Sequence, residues 1–159
     1  MKPLLTRLLA AAAVLLAAWL PVACTAVKNA PPIGIQGGRL TPCPATPNCV
    51  SSDADPKDPT HWIAPFRIRG DIGPFWKTLE ETVADRPRTR IVTADETYLH
   101  AEEKSRIFGF VDDIEFQLHP AEGIAAVRSA SRTGRSDLGV NRKRVEEIRS
   151  KLKSRGVLR

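Results

Sequence analysis

The segment RSASRTGRSDLGVNRKR, residues 128–144, holds the densest set of chemically capable side chains in the chain. Arg128, Arg132, Arg135 and Arg142 alternate there with Ser129, Ser131 and Ser136, and a glycine-bearing loop then enters a helix expected from about Asn141. Forked guanidiniums, hydroxyls and helix N-terminal amides are the groups that recognise phosphate or carboxylate. The spacing is not that of a nucleotide loop. The Gly34–Gly38 run fails that test as well, since neither Lys-Ser/Thr nor a helix follows it. A charge-rich loop is also an ordinary solvated surface. The candidate ligand-binding set is Asp112, Arg128, Ser129, Ser131, Arg132, Asn141 and Arg142.

Asp112 enters that set through strand parity. It alternates with Phe108, Phe110, Ile114, Phe116 and Leu118 in a strand expected over Phe110–Leu118, which puts a carboxylate on an apolar face. An unpaired charge there costs several kcal/mol, so it must be paired or shift its pKa. Arg128 is the expected partner, sharing parity with Ile124, Ala126 and Ala130 on the next strand. Two readings follow: a structural bridge across a hairpin, or the polar end of a pocket that binds an anionic ligand. Asp113 and Glu115 fall on the opposite face and read as solubilising charge.

A second chemistry is nucleophilic. Cys49, Ser51 and Ser52 lie close together, and the available bases are His61, His100 and His119. A small hydrolase or thiol-dependent enzyme centred on them is the alternative function. None of the histidines sits in a hydrolase signature, and a disulfide between Cys43 and Cys49 would remove the thiolate. Three scattered histidines and two close cysteines lack zinc spacing, so no metal and no cofactor are expected.

The elements that must position these residues begin with an export signal. Lys2 and Arg7 precede an uncharged Leu/Ala/Val/Trp run from Leu8 to Leu20, then Pro21, Val22 and Ala23 lead to Cys24. Basic start, apolar stretch and small-residue exit are the layout of a secretory signal, expected over residues 1–23, and the run is short for a spanning helix. Leu20-Pro21-Val22-Ala23-Cys24 resembles the lipobox of bacterial lipoproteins, departing from it where Pro21 replaces Leu. That resemblance implies lipidation of Cys24 and a periplasmic, membrane-anchored protein; ordinary cleavage after Ala26 stays open. Of three cysteines, lipidation of Cys24 leaves an even pair, and the spacing of Cys43 and Cys49 permits a disulfide in an oxidising compartment. Closing so short a loop is worth ~2 kcal/mol.

The formal net charge of +6 is uneven: residues 128–159 hold 11 Lys/Arg against 3 Asp/Glu, whereas residues 24–127 hold 11 against 15. A basic region beside a membrane tether favours a lipid headgroup, an envelope protein or a small anionic ligand, and export disfavours nucleic acid.

Proline density predicts a flexible tether over residues 24–36 and one domain over 37–159, its lead-in irregular. Strands are expected at Ile63–Ile68, Thr89–Thr93, Thr97–Glu103, Phe110–Leu118 and Ile124–Ala130. Asp71 is placed to cap a helix ending near Ala84, on which Ile72, Phe75, Trp76, Leu79 and Val83 form one apolar face. Val145, Ile148 and Leu152 stripe a second helix over Asn141–Arg155. The expected class is α+β: a curved antiparallel sheet of about five strands with two helices packed on one face. The runs CPATPNCVSS (43–52), FGFVDDIEF (108–116) and RSASRTGRSDLGVNRKRVEEIR (128–149) resemble the domain-of-unknown-function 1499 family over roughly residues 34 to 153. That resemblance implies a compact exported or organelle-lumenal domain and no established activity.

Overall fold

Alternating apolar side chains give each long strand one face for a core, and helical stripes supply what covers it. The computed structural model describes residues 32–159. Its elements run β1 (Ile35–Gln36), β2 (Arg39–Leu40), β3 (Cys49–Ser51), β4 (Phe66–Arg67), α1 (Ile72–Ala84), β5 (Thr89–Ala94), β6 (Tyr98–Lys104), β7 (Val111–His119), β8 (Ile124–Ser131) and α2 (Val140–Ser154). β1 and β2 form a small hairpin. The other six strands make one open antiparallel sheet in the order β3-β8-β7-β6-β5, with β4 pairing β8 beside β3. The fold is α+β.

Both helices pack on one face of this sheet. Leu99 and Ala101 of β6, Ile114, Phe116 and Leu118 of β7, and Ala125 and Val127 of β8 meet Phe75, Leu79 and Val83 of α1 and Val145, Ile148 and Leu152 of α2. The rings of Phe66 and Phe116 meet at the centre in a tilted pair, centroids 5.5 Å apart and planes at 54°. Asp71 occupies the N-cap position of α1 in extended conformation, but its carboxylate accepts no capping bond. Pro74 sits in the first turn, where its missing N–H costs nothing. The chain end closes the open side of β4: Arg69 N–H donates to Val157 O and Arg159 N–H to Arg67 O.

Three expectations are corrected. The strand at 63–68 shrinks to Phe66–Arg67, while Cys49–Ser51, inside the proline-dense lead-in, pairs with β8. An edge strand needs hydrogen bonds on one side only and tolerates prolines nearby. Phe108 and Phe110 do not join the core face, because β7 begins at Val111 and both rings lie in an exposed turn. Residues 34–36 belong to the folded part: Gly34 N–H donates to the Glu115 carboxylate, and Ile35–Gln36 form β1.

The expected signal, the rest of the tether to residue 31, Cys24 and the site after Ala26 lie outside the described residues. Among the described residues no helix is long and apolar enough to cross a membrane. Phe116→Ala should lower the unfolding free energy by about 3–5 kcal/mol in urea titration, since Phe116 is fully buried at the helix–sheet contact.

Candidate functional site

The face of the sheet turned away from the helices is polar and nevertheless buried. β7 and β8 pair so that Glu115 stands opposite Arg128, and Asp112 opposite Ser131. Arg128 Nη1 donates to Glu115 Oε2 at 2.5 Å, and neither side chain has any exposed surface. Glu115 Oε1 also accepts from the Tyr98 hydroxyl at 2.7 Å and from Gly34 N–H at 2.6 Å. Gln117 donates to Gly38 O, which ties the β1–β2 hairpin over this face. Beside it, Arg132 grips Asp113 through Nε and Nη2 at 2.9 and 2.7 Å and reaches Glu102 at 2.5 Å. His100 Nε2 closes on Asp113 Oδ1 at 2.8 Å.

Two readings are overturned here. The Asp112–Arg128 bridge does not form: the two residues lie on opposite faces, because Arg128 pairs with Glu115 and Asp112 lies three residues before Glu115 on β7. An odd offset reverses the face. Asp113 and Glu115 do not solubilise a surface either; both are fully buried and ion-paired.

The pKa directions record the pairing. Burial alone would raise Asp113, but hydrogen bonds from Arg132 and His100 outweigh it and leave the carboxyl below its ordinary range. Glu102 is lowered by Arg90 and Arg132. Glu103, on the helix side, is lowered because Arg86 and Arg144 outweigh the upward push of burial. Burial, then the Glu115 hydrogen bond, pushes the Tyr98 phenol up.

On the helix side, four of the candidate residues do come together. Asp112 Oδ2 accepts from Arg144 Nη2 at 2.6 Å. Arg144 Nη1 donates to Asn141 Oδ1 at 2.5 Å and to Ser129 Oγ at 3.1 Å, and its Nε lies 3.0 Å from Glu103 Oε1. Ser129 O–H donates to Asn141 Oδ1 at 2.6 Å, while Asn141 Nδ2 donates to Asn48 O and to Ser131 Oγ, each at 3.0 Å. Arg144, the organiser of this cluster, was not singled out from the sequence. It lies four residues before Ile148, on the buried stripe of α2, and that placement was the available signal.

The remaining candidates are dispersed. Arg128 and Arg132 belong to the far face, and Arg142 donates to the carbonyls of Pro59 and Thr60. Cys43 and Cys49 form a disulfide with Cα atoms 5.6 Å apart, so Cys49 carries no thiolate. Ser51 Oγ accepts Asp53 N–H and Ser52 Oγ accepts Val127 N–H. His61 is held between Asp58 Oδ2 at 2.6 Å and Thr46 O at 3.2 Å, His100 is on Asp113, and His119 lies 4.0 Å from Glu122. Among the described residues no histidine hydrogen-bonds to either serine hydroxyl, so no nucleophile–base pair is assembled. Nor, among them, does any group of three or more His, Cys, Asp or Glu side chains stand ready to hold a metal ion.

A cleft of about 340 Å³ opens over the helix-side cluster, between the β6–β7 turn and the loop into α2. Ser105, Phe110, Asp112, Ser131, Thr133 and Val140 are among its walls. The Thr133 hydroxyl is buried there with no hydrogen-bond partner among the described residues. Asp137 also lines the cleft and satisfies the start of α2, accepting from Gly139 and Asn141 N–H.

An open α+β sheet with ion-pair networks on both faces, and a cleft where two loops meet, defines the class of this protein. The chain belongs to the family described as protein of unknown function (DUF1499), whose model matches residues 39–152. No curated protein matches the sequence.

Breaking the Glu115–Arg128 pair from one side strands a buried charge, so Glu115→Leu or Arg128→Leu alone should each cost about 3–5 kcal/mol. The double variant should cost clearly less than their sum in a urea double-mutant cycle. Carboxyls with lowered folded pKa contribute stability that is present above their unfolded values near ~4 and lost as pH falls below them. The melting temperature should therefore change little through Asp113, Glu102 and Glu103 above about pH 5, and fall steeply below about pH 4.

Proposed function

We propose that the protein is an exported, non-catalytic binding module of the cell envelope, held at the membrane through lipidated Cys24, with the cleft over Asp112 as its ligand site. The N-terminal layout supports export, and the Cys43–Cys49 disulfide is at home in an oxidising compartment. Asp112 and Ser131 line the cleft, Ser129 and Asn141 brace them, and Arg144 holds the group rigid.

The observation that carries the reading is an unused set of polar atoms in that wall. Asp112 Oδ1 makes no hydrogen bond among the described residues, and the Thr133 hydroxyl beside it is buried without a partner. A buried hydroxyl left alone is costly, and a ligand that supplies the missing bond recovers that cost. The arginines of the segment do not favour an anion here: Arg128, Arg132 and Arg144 are matched by carboxylates, and Asp137 caps the α2 amides. The chemistry fits a donor-bearing polar group, such as an ethanolamine or glycerol headgroup or a partner's side-chain amide.

Ethanolamine and glycerol headgroup analogues should perturb the amide resonances of Asp112, Ser131 and Thr133. Thr133→Val should weaken that binding about tenfold, the loss of one hydrogen bond, without changing the fold. Titrations that leave these resonances unmoved would reject the cleft as the site. Intact-mass analysis of membrane-purified protein should find acylated Cys24 at the N-terminus; a chain starting at Met1 with free thiols would reject export.

A further inference from the structure

The five most exposed large apolar side chains of the described residues gather at one end of the sheet. The β6–β7 turn carries Ile107, Phe108 and Phe110, at 81, 74 and 54 % exposure, and the entry to α2 carries Leu138 and Val140, at 95 and 46 %. Phe110 and Val140 line the same cleft, which brings the two segments together at one tip. Contiguous apolar surface of this kind marks an interaction site.

The tip is built to hold these groups outward. Ser105 N–H donates to Phe110 O at 2.8 Å, and Phe110 N–H donates to Ser105 Oγ at 3.0 Å, which closes the turn. The rings of Phe108 and Phe110 stack at 5.5 Å. Leu138 has φ +55°, an uncommon conformation for a large side chain, and Ser136 Oγ accepts its N–H at 3.3 Å. A slack loop would relax both features by folding the apolar groups back onto the protein.

Charge selects the partner. The buried cations Arg128 and Arg144 and the half-buried Arg86 and Arg132 are each matched by carboxylates. Lys104 at the end of β6, Arg106 in the turn that follows and Arg135 in the loop before α2 are exposed and enter none of the ion pairs among the described residues. Aromatic and aliphatic side chains framed by unmatched cations are the composition of a segment that lies in the interface of an anionic bilayer. We propose that this tip inserts into the surface of an anionic phospholipid membrane. The apolar side chains enter the boundary between headgroups and acyl chains, while Lys104, Arg106 and Arg135 rest on lipid phosphates. The insertion goes beyond the headgroup reading of the cleft and does not require it.

The test uses the full chain with Cys24→Ser, which leaves an introduced cysteine as the free thiol for labelling beside the Cys43–Cys49 disulfide, mixed with vesicles. A nitroxide is placed at Ile107→Cys or, as a control on exposed α1, at Glu80→Cys. On vesicles containing phosphatidylglycerol, the label at 107 should lose access to a water-soluble relaxation agent and gain access to oxygen, while the label at 80 stays in water. Raising the salt, using phosphatidylcholine alone, or adding Arg106→Glu with Arg135→Glu should abolish that immersion with no change in melting temperature. Thr133→Val should leave it intact, which separates this result from the fate of the cleft. A label at 107 that stays as wet as the label at 80 on anionic vesicles would overturn the proposal. So would equal immersion in the charge-reversed variant, or concentration-dependent immobilisation of the 107 label without lipid, which would show a second copy covering the tip.

Discussion

A guanidinium with no exposed surface has to be answered by a carboxylate, and Arg128 finds Glu115 directly across the β7–β8 ladder. Much else follows from that pairing. Slipping the register by one residue would turn these charges onto the helix side and carry Ile114, Phe116 and Val127 out of the core. The charge pair and the apolar pattern therefore demand the same alignment, and each makes the other costly to lose. The same register sends Asp112 to the helix side, where Arg144 receives it.

The sheet consequently has two buried faces of different character. One is hydrophobic and covered by α1 and α2. The other carries Tyr98, His100, Glu102, Asp113, Glu115, Gln117, Arg128 and Arg132, with the β1–β2 hairpin tied over part of it. Burying so many charges brings a desolvation penalty that only close pairing can offset. Arg132 meets that demand by holding Asp113 with two parallel bonds, and His100 supports the same carboxylate at its Oδ1. Such an arrangement specifies one geometry closely even where its net stabilisation is small.

Against this matched interior, the end of the sheet at the β6–β7 turn stands out. It gathers the most exposed apolar side chains beside unpaired surface cations, over a cleft that keeps the Thr133 hydroxyl without a partner. The nucleophile candidates show the reverse pattern: the cysteine is oxidised, and the hydroxyls of Ser51 and Ser52 are absorbed by backbone N–H groups. Reactive potential in the 49–52 segment is thus spent on structure, holding β3 against β8.

What the amino-acid sequence determined by itself was whatever depends on local periodicity. The stripes of α1 and α2, the alternation within β7 and β8, the short connections between strands and the cysteine spacing could all be read along the chain, as could the family motifs. Parity within one strand tells which residues share its face, but it carries no information on how far the next strand is offset. That offset decided that Arg128 meets Glu115 and leaves Asp112 to Arg144. The burial of Glu115 and Gln117 likewise depended on a cover contributed from residues 34–40, a glycine-rich stretch with no periodic signal of its own. Only the folded chain could settle these matters, because long-range pairing is chosen by the total of contacts on both faces and not by any single segment.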